Sequence, residues 1–102
     1  MSEPNGSRFR VIFSQHLLNN LKNLHGQATE KGQGAKFLAA LKRIVSSLRE
    51  HPDQFGERRF TLRHLNLEVR VAFQPPLALT FGVHKQKPIV FVRQFWLLLG
   101  ED

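Results

Sequence analysis

The apolar residues of this 102-residue chain change their spacing at Pro52. In two stretches before it they recur every three or four positions, and beyond it every second position. A period near 3.6 marks an amphipathic helix and a period of 2 marks a half-covered strand. The chain is therefore expected to build helices first and most of its sheet afterwards, an α+β arrangement.

The first helical stripe is Leu17, Leu18, Leu21, Leu24 and Ala28, preceded by Ser14, whose short hydroxyl suits a helix N-cap. Glu30 to Gly34 carries two glycines and ends the periodicity, so it reads as the turn of a helical hairpin. A second stripe, Phe37, Leu38, Leu41, Ile44, Val45 and Leu48, runs until Pro52, which disfavours helical backbone at the residue before it. Ahead of both helices, Phe9, Val11 and Phe13 alternate with Arg8 and Arg10 as one strand. The two helices share an apolar face that needs a sheet to rest on, which gives the order β-α-α-β-β-β with the hairpin on one face of a small, mainly antiparallel sheet.

Beyond Pro52, Phe60 and Leu62 alternate with Arg59, Thr61 and Arg63. Leu67, Val69, Val71 and Phe73 then alternate with Glu68, Arg70, Ala72 and Gln74. Pro75-Pro76 marks a turn, Leu77, Leu79, Phe81 and Val83 form an inward set, and His84 to Pro88 make a polar turn. Ile89 to Phe95 is apolar at nearly every position, as a strand central in its sheet would be. Trp96 to Leu99 continue as an apolar tail that needs a surface to cover. One domain is expected over residues 8–99, with residues 1–7 a disordered tail and 100–102 a C-terminal tail.

Fifteen Lys and Arg against eight Asp and Glu give a net charge of +7, which favours polyanionic partners. The sequence has no cysteine, so disulfides, thiolate metal sites and a cysteine nucleophile are excluded. Its five histidines, at 16, 25, 51, 64 and 84, form no i,i+4 pair, and neither a metal nor a cofactor is expected. With no apolar run of bilayer length and a polar start, a soluble, cytoplasmic protein without membrane contact is expected.

Arg59, Arg63 and Arg70 fall with Glu68 on one side of their strands. That side is either a cationic face for phosphates or the ordinary solvated face of an antiparallel sheet. Arg93 interrupts an apolar strand and needs an acidic partner such as Glu68, or a watery groove. His64 and His84 sit among basic residues and suit proton transfer. Lys85 and Lys87 add charge in the polar turn, and Trp96 either stacks on an unpaired base or caps the core.

The stretches Phe9-Arg10-Val11-Ile12-Phe13-Ser14, Phe37-Leu38-Ala39-Ala40-Leu41, His51-Pro52 and Phe55-Gly56 resemble the first half of RelE/ParE-superfamily toxins. Leu77 to Val83 followed by Pro88-Ile89-Val90-Phe91-Val92 is similar to that superfamily's final hairpin. The resemblance implies the toxin of a toxin-antitoxin pair, countered by an acidic antitoxin. Its target would be messenger RNA on the ribosome, cut by an endoribonuclease, or DNA gyrase. It leaves Arg70 and Arg93 as equivalents of that superfamily's basic residues; with His84 they are the candidate catalytic groups, and Arg59, Arg63, His64, Lys85, Lys87 and Trp96 are the candidates for contacting nucleic acid. The chain departs from that pattern in having no tyrosine, in carrying Leu77 where an arginine is usual, and in ending its last strand on Phe95-Trp96-Leu97-Leu98 instead of a basic cluster. The alternative is a basic module that keeps the scaffold without the chemistry, binding nucleic acid or an acidic protein.

Overall fold

The computed structural model describes residues 8–98. The expected tails, 1–7 and 100–102, and Leu99 lie outside the described residues. Strand β1 spans Arg10–Ile12, helix α1 Gln15–Glu30 and helix α2 Gly34–Glu50. Strands β2 (Glu57–Leu62), β3 (Leu67–Gln74), β4 (Leu77–His84) and β5 (Ile89–Leu97) follow, and all five strands form one sheet in the order β1-β5-β4-β3-β2. Among the described residues β1 with β5 is the one parallel pair, and the other three pairings are antiparallel. The fold is α+β with both helices against one face of the sheet, and it has one strand more than the expected order. The extra strand arises because Asn66, in the left-handed region at φ 53°, closes a 3-10 turn over Arg63–Leu65 and folds β2 back on β3.

Local chemistry sets the helix bounds. The Ser14 hydroxyl accepts the Leu17 amide at 3.0 Å and starts α1, as the sequence implies. Gly32, at φ 74°, turns the chain between the helices, and Pro52 opens a 3-10 turn directly after α2. Leu17, Leu21, Phe37, Ala40, Ile44 and Leu48 are buried against Leu79, Phe81, Val83, Val90, Val92 and Phe95 of the sheet. Complete burial of a side chain such as Ile44 or Leu48 contributes about 1.5–3 kcal/mol. The centre of the sheet is β4; β5 is an inner strand with β1 on its outer side. No described helix is long and apolar enough to cross a membrane.

On β3 the structure reverses the expected orientation. In direct register, Arg70 stands opposite Phe81 and Ala72 opposite Leu79, and both partners lie in the helix-covered core. Glu68, Arg70 and Ala72 therefore face the helix side, while Leu67, Val69, Val71 and Phe73 face the open side. The reason is what lies above this corner of the sheet. The segment between α2 and β2 folds over it, and Arg70 donates from Nε to the Phe55 carbonyl at 2.9 Å and from Nη2 to the Gly56 carbonyl at 3.0 Å. Its Nη1 donates to the Glu68 carboxylate. Phe55 stacks on Phe81, with ring centroids 5.8 Å apart. Carbonyls facing the sheet accept from donors, and the polar set on this side of β3 supplies them through Arg70.

Candidate functional site

The open face is built from the side chains that the register sets opposite the helices. Along β4 these are Ala78, Thr80, Gly82 and His84, three of them small. Their neighbours are large: Phe73 and Trp96 flank Ala78, Val71 and Gln94 flank Thr80, and Val69 and Phe91 flank Gly82. Ala78 is fully buried between these rings and the Leu67 side chain packs over Gly82, so of the three small residues it is Thr80 that opens onto this face. On it lies a groove of about 370 Å³ bounded by Phe60, Val71, Phe73, Trp96, Arg59 and Arg93. The valines are its floor, Val69 being 2% and Val71 7% exposed, whereas Phe60 and Phe73 stand 50% and 60% exposed at its rim.

Two β-bulges shape this surface. On β2 the register passes from Arg58 opposite Arg70 to Phe60 opposite Val69, leaving Arg59 unpaired and turned to the open side beside Phe60. Counted on from Arg58, which faces the helix side with Arg70, strict alternation would have sent Phe60 toward the helices. On β5 the register passes from Val92 opposite Phe81 to Gln94 opposite Thr80, with Arg93 the extra residue. That shift returns Phe95 to the core and brings Trp96 out to the groove. An inserted residue re-aims every side chain beyond it, which is why the alternation read from sequence fails here.

The candidate residues fall into three separate places. Arg59, Arg93 and Trp96 share the groove. Arg63 and His64 lie in the 3-10 turn after β2, and Lys85 and Lys87 in the turn after β4. The Lys85 amide donates to the Asn66 carbonyl at 2.9 Å, which ties these two turns together at one end of the sheet. His84 belongs to that end, and its Nδ1 accepts the Gln86 and Lys87 amides at 3.1 and 3.0 Å. Arg70 is the correction: it is buried on the helix-covered face, not on a cationic open face with Arg59 and Arg63. Glu68 is the partner of Arg70 and not of Arg93, and among the described residues Arg93 makes no ion pair. Arg70, Arg93 and His84 thus do not converge on a common point.

Phe60 and Phe73 belong to the surface and were missed from sequence, because alternation alone assigns apolar residues to the core. A legible sign was the run Ala78, Thr80, Gly82 opposite the bulky set Leu77, Leu79, Phe81 and Val83, since small side chains on a central strand leave room for something else. The acid at the groove is Glu57, 81% exposed, whose carboxylate is 4.0 Å from Arg59. A solvated pair at that distance contributes little and leaves the guanidinium open to another anion. Comparison with known proteins returns no matching family model, no matching curated protein and no matching solved structure.

Proposed function

We propose that this chain is a basic binding module without catalytic activity, whose working surface is the open face of the sheet and whose partner is polyanionic. The observation that carries this reading is the pair of bulges, which turn Phe60 and Trp96 onto the face that already holds Arg59, Arg93 and Phe73. Arg93, without an ion pair among the described residues, and Arg59, in only a loose solvated pair with Glu57, stand above an apolar floor and suit anion capture, because the low-dielectric surface strengthens their attraction for a bound charge. RNA cleavage would instead need a base, a phosphorane stabiliser and an acid within hydrogen-bonding reach of one phosphate. Arg70 is committed to the Phe55 and Gly56 carbonyls, and His84 to the amides of its own turn.

Retention on an immobilised polyanion across a salt series tests the reading. The double variant Arg59→Ala/Arg93→Ala should elute at clearly lower salt than Lys42→Ala/Arg49→Ala, which removes the same charge from the outer side of α2. Every phosphate left without its arginine should flatten the log–log salt slope by about one unit. Equal elution of the two variants would overturn the proposal.

A second reading, a RelE/ParE-like toxin, is favoured by one observation: the helical pair leaves the arginine-flanked face free for a target. In that reading an acidic antitoxin covers the face until release, and the ribosome with its message or DNA gyrase is the target. Induced expression in bacteria should then arrest growth, and ribosome-bound message should be cut by the wild type but not by Arg93→Ala. Unimpeded growth without a partner protein would refute it.

A further inference from the structure

Resting on the binding-module reading, we infer that the groove takes single-stranded nucleic acid, stacking unpaired bases on Phe60, Phe73 and Trp96 while Arg59 and Arg93 meet the flanking phosphates. The division of apolar side chains in the groove points to this ligand. Its aliphatic residues, Val69 and Val71, are spent on the floor, and what projects into solvent is aromatic. A face that received an apolar protein segment would be served as well by exposed leucines or valines. Exposed rings add something that only a flat π-system can use, because every base offers a stacking face whatever its sequence.

The layout also fits a strand in length. Along β4 the line from Ala78 to His84 covers about 20 Å, given a rise near 3.4 Å per residue, and crosses the Leu67 side chain packed over Gly82. It leads from the Phe73 and Trp96 rings toward the end of the sheet where Arg63, His64, Lys85 and Lys87 gather. Arg10, exposed on β1 and opposite Ile89, lies on the same open side. A backbone lying along β4 would meet aromatic side chains first and basic turns further on. Polar groups able to read base edges are few: Thr80 and Gln94 face each other across the floor, and neither side chain hydrogen-bonds to the protein among the described residues. Binding is therefore indifferent to base identity. A duplex cannot use the site, since its bases are already stacked and their faces closed to Phe60 and Phe73.

Trp96 is the chain's single tryptophan, so its fluorescence reports directly on the groove. The experiment titrates the full chain at fixed low salt with four probes of matched length: oligouridylate, oligothymidylate, a DNA duplex and a polyglutamate peptide. Both single strands should quench Trp96 and bind about tenfold or more tighter than the duplex and the peptide. Phe73→Leu, which keeps the apolar bulk, should weaken single-strand binding by about fivefold to a hundredfold, and Phe73→Trp should restore it. Equal affinity for duplex and single strand, with Phe73→Leu unchanged, would overturn stacking while leaving the binding module intact. Preference for polyglutamate would overturn the nucleotide class and likewise leave the module. Failure of all four probes to bind would remove both proposals.

Discussion

Replacing Arg70 by methionine should destabilise the fold strongly without touching the open face. The substitution deletes the donors to the Phe55 and Gly56 carbonyls and strips Glu68 of its partner. The carbonyls belong to a half-exposed and an exposed residue, so water recovers most of their bonding, and their joint loss is held to about 1 kcal/mol. Leaving Glu68 unpaired costs more. Its side chain is 20% exposed and that of Arg70 10%, and breaking a buried pair by removing one partner costs about 3–5 kcal/mol. Partial access of water to Glu68 lowers that to about 2–3 kcal/mol, for a total of about 3–4 kcal/mol. In a domain this size the midpoint of thermal unfolding should fall by more than about 12 °C. Urea denaturation followed by circular dichroism measures the same quantity, and the slope against denaturant should not change. The double variant Arg70→Met/Glu68→Leu should recover part of the loss, because no charge is then left unpaired. If Arg70→Met unfolds within about 1 kcal/mol of the wild type, Arg70 does not hold the corner of the sheet as described.

Ser14→Ala should cost about 1 kcal/mol by urea unfolding, through loss of the bond to the Leu17 amide, and Ser14→Asp should retain most of it; equal loss in both would refute the cap. Gly56→Ala should cost well over 1 kcal/mol in the same assay, since Gly56 holds φ 74° and a Cβ there would collide with the Val71 carbonyl oxygen; an unchanged midpoint would contradict that geometry. Long-range nitrogen–proton NMR correlations should show His84 with its proton on Nε2, because Nδ1 accepts two amides, and His84→Ala should loosen the turn by about 1 kcal/mol; a proton on Nδ1 would rule out the arrangement.

The helical half was legible because its signals are local. Ser14, the glycines near residue 32 and Pro52 act on their own neighbours, and the stripes on either side keep their period undisturbed. On β4 the alternation also held, with Leu77, Leu79, Phe81 and Val83 inward. Alternation failed on β3, where the sequence says which residues share a side but not which side the helices take. Leu67, Val69, Val71 and Phe73 were the natural choice, and the partners that Arg70 finds on the inward side, the carbonyls of Phe55 and Gly56, come from a distant segment. The bulges at Arg59 and Arg93 are invisible for a related reason: each is defined by a register with another strand, which no local pattern encodes. The site suffered most, since Arg70 moved out of it while Phe60 and Phe73 entered it.

The parallel pairing of β1 with β5 joins positions about eighty residues apart, Arg10 with Ile89. During synthesis β1 and both helices leave the ribosome with no strand to dock on, and the helices' shared apolar face must wait for the other half of the molecule. Among the described strands β1 pairs with β5 alone, so the sheet closes late and over a long loop, an entropic hurdle met before any contact rewards it. Such a chain should fold slowly for its size, and a nascent copy stalled before Ile89 would be a target for chaperones or proteases.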